Sequence, residues 1–375
     1  MKIVCTRENL SNALSIISGA ASKNINLPIL NNVLIRAENQ KVELIATNLE
    51  LAITTQLRAK VEDAGSFTLP AKTLNDFVNL LSDEKVEIER SENHLKVVCG
   101  KSSTKIKGVS AEEFPILPTT KEGAGYLLDS ELFKKGIEQV VQSAAKNDIR
   151  PELAGVSFIF DIKESKQLIM AATDSYRLAE KKIQLQQGDA ELSVIVPART
   201  VQEISRVLAL SKNLLTPEKT TRLILSDNQI IMRHGDVELM SRLVEGKYPD
   251  YTQIIPKEFN TTAQLSTQKV VKAVKAAGLF STIGVNAASF ELNEKEGYVG
   301  VSSASAQAGE HKSELSAQIS GVDISILLNH RYVLEGLNNM DSETCELKVV
   351  NSDSPCVLSP VGDDSYLYIV MPIRQ

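Results

Sequence analysis

TLPAKTLNDFVNLL, residues 68–81, ends a strand and opens a helix, and the chain repeats it. The stretch returns at 194–208 as VIVPARTVQEISRVL, with Pro197 standing 127 residues after Pro70. A weaker third copy, ILLNHRYVLEGLNNM at 326–340, puts Asn329 opposite Ala198, 131 residues on. Upstream, VELIATNLEL (42–51) matches QLIMAATDSYRL (167–178), Thr47 opposite Thr173 at a spacing of 126, and VGVSSASA follows about 131 later. A helical segment opens each copy: TRENLSNALSIISGAASK, DSELFKKGIEQVVQSAAK and STQKVVKAVKAAGLF. Three segments that keep nearly one spacing through three copies mark an internal repeat.

Each copy reads helix, strands, helix, strands. Alternating or β-branched apolar runs predict strands at KVELIA, KVEIER, HLKVVCG, LSVIVP, RLILSD and ELKVVN. Ser226-Asp227-Asn228 supplies hairpin chemistry between RLIL and QIIM. A period near 125 is too long for a solenoid unit, so each copy is expected to be a domain with its own core. The fold class is therefore α+β: three repeated domains over 1–125, 126–252 and 253–375, each with two helices packed on antiparallel sheet. EEFPILPTTKEGAG (112–125) and EGKYPDYTQIIPKEFN (245–260) serve as Pro- and Gly-bearing connectors.

Composition removes several classes of function. No apolar run approaches the roughly 18 to 20 residues that cross a bilayer, and MKIVCTRENL places charges where a signal peptide is apolar. A membrane partner is not expected, and a cytoplasmic location is. Four scattered cysteines without a C-x-x-C pair read as buried free thiols, and four histidines lack metal-ligand spacing. No phosphate-binding or nucleophile motif occurs, so neither metal, cofactor nor catalytic residue is expected.

Charge is segregated. Helices read at 7–23, 71–82, 129–147, 197–212, 266–282 and 329–341 hold thirteen basic and eight acidic residues, a surplus of five. With the whole chain at −6, the remainder carries −11. Lys269, Lys272 and Lys275 share one helical stripe, opposite Val270, Val274 and Ala277, in a segment without an acid. Lys135, Gln139, Gln142 and Lys146 oppose Phe133, Ile137, Val140 and Ala144; Arg199, Gln202 and Arg206 oppose Val201, Ile204 and Leu208. Basic helices on an acidic body suit a polyanion gripped by its phosphates, without base reading. Lacking an aromatic platform for single strands, they suit duplex.

Eight blocks carry a resemblance over essentially the whole chain: LPILNNVLI (27–35), FTLPAKTL (67–74), EEFPILP (112–118), RPELAGV (150–156), AATDSYRLA (171–179), VIVPARTVQEI (194–204), VEGKYPDY (244–251) and YIVMPIR (368–374). The sequence resembles the bacterial DNA polymerase III β subunit, the sliding-clamp family. That resemblance implies a head-to-tail homodimeric ring of six clamp domains around duplex DNA, without an active site. It implies that the ring tethers the polymerase III α subunit, and that clamp-loader subunits, other polymerases and repair proteins bind it through short linear peptides.

Site residues follow from the same resemblance. DNA contacts would comprise Lys23 and Arg150 beside the helix cations Lys72, Lys135, Lys146, Arg199, Arg206, Lys269, Lys272 and Lys275. A partner-peptide pocket would comprise Leu153, Thr173, Asp174, Ser175, Tyr176, Arg177, Leu178, Pro249, Ile254, Ile369, Met371, Pro372 and Arg374. Its Leu, Ile, Met and Pro would form an adaptable apolar floor, with Arg177 and Arg374 for peptide carbonyls or carboxylates. Ser175-Tyr176 stands where some relatives carry Gly-His. At the dimer contact, Lys101, Thr104 and Ile106 would meet Leu279, Phe280 and Glu310 across a sheet edge. Two other readings stay open: a metal-dependent DNA-processing enzyme using Asp353, Asp363 and Asp364, and a ring scaffold that binds only proteins.

Overall fold

The computed structural model describes residues 1–21, 26–117, 123–147, 149–211 and 218–374. Its six α-helices are α1 (Arg7–Ile17), α2 (Ala71–Asn79), α3 (Ser130–Val140), α4 (Ala198–Ser211), α5 (Thr267–Leu279) and α6 (His330–Asn338). They come in the order the repeat predicts, two to a copy. The third copy is offset by one residue from its sequence alignment. Asn329 closes a strand and caps α6, accepting from Arg331 N at 3.0 Å, so it stands opposite Pro197 rather than Ala198.

The chain packs as two compact units, and the limits of these units differ from those of the repeats. The first comprises Met1–Lys134, Leu185–Ala190 and Gln202–Leu243. Its five-stranded antiparallel sheet runs Ala59–Asp63, Lys2–Thr6, Lys85–Ser91, His94–Cys99, Ser102–Lys107. A second sheet has nine strands and joins two copies of the repeat. Val237–Arg242 of the second copy pairs with Leu51–Leu57 of the first, Ser241 opposite Leu51.

The other unit comprises Lys135–Gln184, Glu191–Val201 and Val244–Gln375. It repeats the device one copy later. Arg177–Gln184 pairs with Tyr366–Val370, Arg177 opposite Val370, inside another nine-stranded antiparallel sheet. Its four-stranded sheet runs Gly309–Ser316, Tyr298–Ser305, Ala287–Asn293, Ile324–Asn329. Both nine-stranded sheets therefore contain a seam where the second copy meets a neighbour by backbone hydrogen bonds. Side-chain fit is added to that ladder rather than replacing it.

The turn before each seam strand is built alike. Thr47 Oγ1 donates to Leu51 O (2.9 Å) and accepts from Leu49 N (3.0 Å), while Asn48 Oδ1 accepts from Glu50 N and Leu51 N (3.0 and 2.7 Å). In the next copy Thr173 Oγ1 donates to Arg177 O (2.6 Å) and accepts from Ser175 N (3.1 Å). There Asp174 Oδ1 accepts from Tyr176 N and Arg177 N (3.0 and 3.1 Å). Both turns drive their third residue into the left-handed region, Leu49 at φ 77° and Ser175 at φ 76°. That conformation favours glycine, which is the physical reason a glycine suits position 175.

Helix α1 stops short of the span read from sequence, at Ile17 rather than residue 23. Its last carbonyls meet a donor from far along the chain: Arg206 gives Nη1 to Ser15 O and Nη2 to Ile16 O, both at 2.7 Å. Such carbonyls have no partner inside the helix, and a guanidinium at a helix C-terminus also suits the dipole. Gly19 makes the approach possible, because a Cβ there would lie 1.9 Å from Glu203 Oε2. Helix α3 likewise ends at Val140 and gives way to a 3-10 turn, Val141–Ser143, which leaves Lys146 in the following loop.

Candidate functional site

The cations expected on DNA divide into free and committed groups. On α5, Val270, Val274 and Ala277 are buried while Lys269, Lys272 and Lys275 are exposed. None of the three lysines has an ion-pair partner among the described residues. Arg199 is exposed as well. Lys146 is exposed too and has no ion-pair partner among the described residues, whereas three others are held by acids: Lys72 by Asp76 one turn on, Lys135 by Asp341 at 2.6 Å, and Arg150 by Glu152 at 3.0 Å. The Lys135 ammonium in turn holds the Asp341 carboxyl below its usual range, by hydrogen bond and by charge.

Two expectations on these faces need correction. Arg206 is spent on α1 and on Glu203 (2.7 Å), so it braces two helices instead of offering a free charge. Gln139, expected on the polar face of α3, is buried, its amide donating to Asn339 O at 2.8 Å. In both cases the acceptor is a backbone carbonyl distant in sequence, which helical periodicity does not register. Lys23 lies outside the described residues.

The apolar pocket residues converge. Leu153, Leu178 and Ile369 share one buried cluster with Ala171, Ile195, Tyr248, Tyr251 and Val357, and half-buried Met371 packs against it. Leu178 and Ile369 are wholly buried and form its base; Ile254, 39% exposed, and half-buried Pro249 and Pro372 remain accessible. The C-terminal tail is pinned by Met371 N donating to Tyr176 O (2.9 Å) and Ile373 N to Leu327 O (2.8 Å), with Arg374 exposed beyond.

Two tyrosines of VEGKYPDY, Tyr248 and Tyr251, belong to this site as well, and nothing in their local spacing announces it. Both are members of the cluster, and their rings meet edge to face at 6.5 Å. The Tyr248 hydroxyl accepts from Thr173 N at 3.0 Å, and that of Tyr251 donates to Glu180 Oε2 at 2.6 Å. Burial pushes both phenols well above their ordinary range, and the Glu180 charge adds to this at Tyr251. Both stay protonated, and Tyr248 anchors the Thr173 backbone.

Arg177 requires another correction. Its side chain is only 3% exposed. Nε bonds Asp174 Oδ2 at 3.1 Å, Nη2 donates to Gln142 O at 2.6 Å, and Nη1 pairs with Glu335. Its guanidinium also lies over the Tyr332 ring at 4.6 Å. A cation so enclosed positions the turn and is closed to a peptide carboxylate. Gln142, Tyr332 and Glu335 belong to this network, and nothing in their local sequence announces it.

The residues expected at the dimer contact lie on or beside sheet edges. Thr104 sits on Ser102–Lys107, outermost in its sheet, and Glu310 on Gly309–Ser316, outermost in the four-stranded one. Lys101 is exposed in the turn before the first edge, and Leu279 is 75% exposed at the end of α5. Phe280 stacks on His311 at 5.7 Å. Ile106 is the exception: at 6% exposure it belongs to its own unit's core. Among the described residues no three His, Cys, Asp or Glu side chains gather as metal ligands. Asp363 instead accepts from Ser365 N at 2.8 Å and faces Lys181 at 3.5 Å.

Known proteins share this chain along its length. Family models for the DNA polymerase III beta subunit match as N-terminal domain at residues 1–118, central domain at 127–250 and C-terminal domain at 252–374. A beta sliding clamp of Synechococcus elongatus is 30% identical over all of this chain and 99% of its own. One of Streptococcus pneumoniae is 29% identical over 96% of each. The crystal structure of the DNA polymerase III beta subunit from Thermotoga maritima superposes with a TM-score of 0.92 at 27% identity, covering 100% of this chain and 99% of that one. With all three domains matched in order, the chain belongs to the DNA polymerase III beta subunit family, the beta sliding clamps.

Proposed function

We propose that two copies of this chain close head to tail into a ring around duplex DNA, lined by the free cations of α5 and α4. As a member of its family the chain is a DNA sliding clamp of replication, a processivity subunit that performs no chemistry itself. It acts by enclosure, in the cytoplasm, keeping a polymerase near the primer end by raising its local concentration. Clamp-loader subunits, the polymerase α subunit and repair proteins dock short peptides on Pro249, Ile254, Met371 and Pro372, over the buried Leu153–Ile369 cluster.

The observation that carries this reading is Lys269, Lys272 and Lys275, exposed and unmatched by acid on one helix face. Phosphate contacts of this kind hold a duplex in any sequence and let it slide. Replacing all three by Glu is expected to cut retention on circular duplex after loader treatment by at least about tenfold, leaving oligomeric mass unchanged. Unchanged retention would overturn the assignment.

Closure is supported by the two edges. Ser102–Lys107 brings Lys105 and Lys107, with Lys101 beside it, whereas Gly309–Ser316 brings Glu310 and a Glu314 paired with Lys312 at 3.1 Å. An edge with three cations and one with a single surplus acid repel less when they meet each other than when the basic edge meets its own copy, and pairing covers both. Since one chain is 41.0 kDa, light scattering is expected to give about twice that mass, near 82 kDa. A monomer at micromolar concentration would contradict the ring.

A further inference from the structure

The nine-stranded sheet of the first unit has a cavity of about 220 Å³ beside its seam. It lies wholly within that unit, where the repeat would put a second copy of the partner pocket. The Thr47 turn walls it as the Thr173 turn walls the other. With Leu51 opposite Ser241 and Arg177 opposite Val370, Met240 takes the place of Ile369, and Arg242 that of Met371. Phe114-Pro115 repeats Tyr248-Pro249, the aromatic ring buried in both. Several groups on this lining are left unused by the chain's own packing. Leu49 is 50% exposed on a left-handed backbone that favours glycine, and Ile116 is 98% exposed. Gln229 Oε1 is buried and has no donor among the described residues. Glu50 and Arg242 are exposed, again without an ion-pair partner among the described residues.

We propose that this cavity is a second peptide station, which takes one apolar side chain of an extended partner segment flanked by an acid and a base. The proposal takes its ligand class from the reading of the Leu153–Ile369 cluster as a partner-peptide site. Size limits the anchor. About 220 Å³ falls below the roughly 300–1,000 Å³ that holds a drug-sized ligand, and it suits a single leucine-sized side chain. Met240 supplies an adaptable floor, with Leu49 and Ile116 as walls. Arg242 receives the acid, Glu50 the base, and Gln229 Oε1 a backbone N–H. A segment carrying both signs complements both charges, whereas two like flanking charges meet repulsion from Glu50 or Arg242.

The test uses the full-length protein and Gly/Ser decapeptides with a central photo-leucine. Its flanking residues are Asp and Lys in either order, Asn and Gln, or two lysines. After illumination, peptide mapping separates adducts at the first seam, on Leu49, Ile116 and Met240, from adducts at the second, on Tyr176 and Met371. In its better order the Asp/Lys peptide is expected to label the first seam about fivefold more than the Asn/Gln peptide. The double variant Leu49→Gly, Ile116→Ser places glycine on a backbone that suits it. It should lower first-seam labelling at least about fivefold and leave second-seam labelling unchanged. Arg242→Glu should make the two-lysine peptide the best ligand of the first seam. Adducts confined to the second seam, first-seam adducts indifferent to the flanking charges or to Arg242→Glu, or adducts that survive the double variant overturn the second station while the partner pocket stands. Adducts at neither seam overturn both.

Discussion

Replacing Arg177 with alanine is expected to lower the first calorimetric transition by roughly 6–12 °C, the equivalent of about 3 kcal/mol in a unit of this size. The size of the effect comes from what stays behind. Asp174 and Glu335 lose their shared cation, Gln142 O loses its donor, and the face of Tyr332 is bared. Removing one partner from a buried charge network costs more than the network itself contributes, because the remaining charges are stranded. Asp174 and Glu335 are 16% and 40% exposed, so water relieves part of this, which sets the value at the lower end of the range for buried pairs. Peptide affinity should fall with stability, since the turn that walls the pocket loses its brace. A transition within 2 °C of the parent would show the network to be ornamental.

The second large effect is on binding alone. Deleting residues 372–375 is expected to weaken partner-peptide binding by at least about a hundredfold, roughly 2.7 kcal/mol. Pro372 and Arg374 go, and so does the Ile373 N bond to Leu327 O that holds the tail in place. The strand Tyr366–Val370 and its pairing with Arg177–Gln184 remain, so melting should shift little. Titration calorimetry separates the outcomes: parental affinity in the truncated protein would remove the tail from the pocket.

The architecture was legible because a long repeat states its own spacing three times. Helix positions came with it, and the apolar stripes of α3, α4 and α5 are buried as their periodicity demands. The exposed lysines of α5 were readable for the same reason: a face without acids has no local partner to hide it. Legibility failed wherever a side chain answers to a distant carbonyl. Arg206 and Gln139 sit at helical spacings indistinguishable from those of free residues, yet their acceptors lie 190 and 200 positions away in sequence. Arg177 was chosen for the right turn and given the wrong task, because enclosure by Gln142, Tyr332 and Glu335 is a property of the fold. Leu153, Leu178 and Ile369, expected in one pocket, do pack in one cluster, while the part played in it by Tyr248 and Tyr251 is set by packing that no local pattern announces.

The seams in the two nine-stranded sheets set a timetable for synthesis. Leu51–Leu57 leaves the ribosome nearly two hundred residues before Val237–Arg242, the strand that covers it. At about 5–20 residues per second its edge waits roughly 10 to 40 seconds for a mate. The same delay recurs for Arg177–Gln184, which waits for Tyr366–Val370 near the chain's last residues. A nascent chain therefore carries a ready template for wrong pairing through most of its elongation, and neighbouring chains on one messenger present that template to each other. Fragments cut at the repeat borders would keep it permanently, so the piece that looks most like a domain in the sequence is the one least suited to live alone.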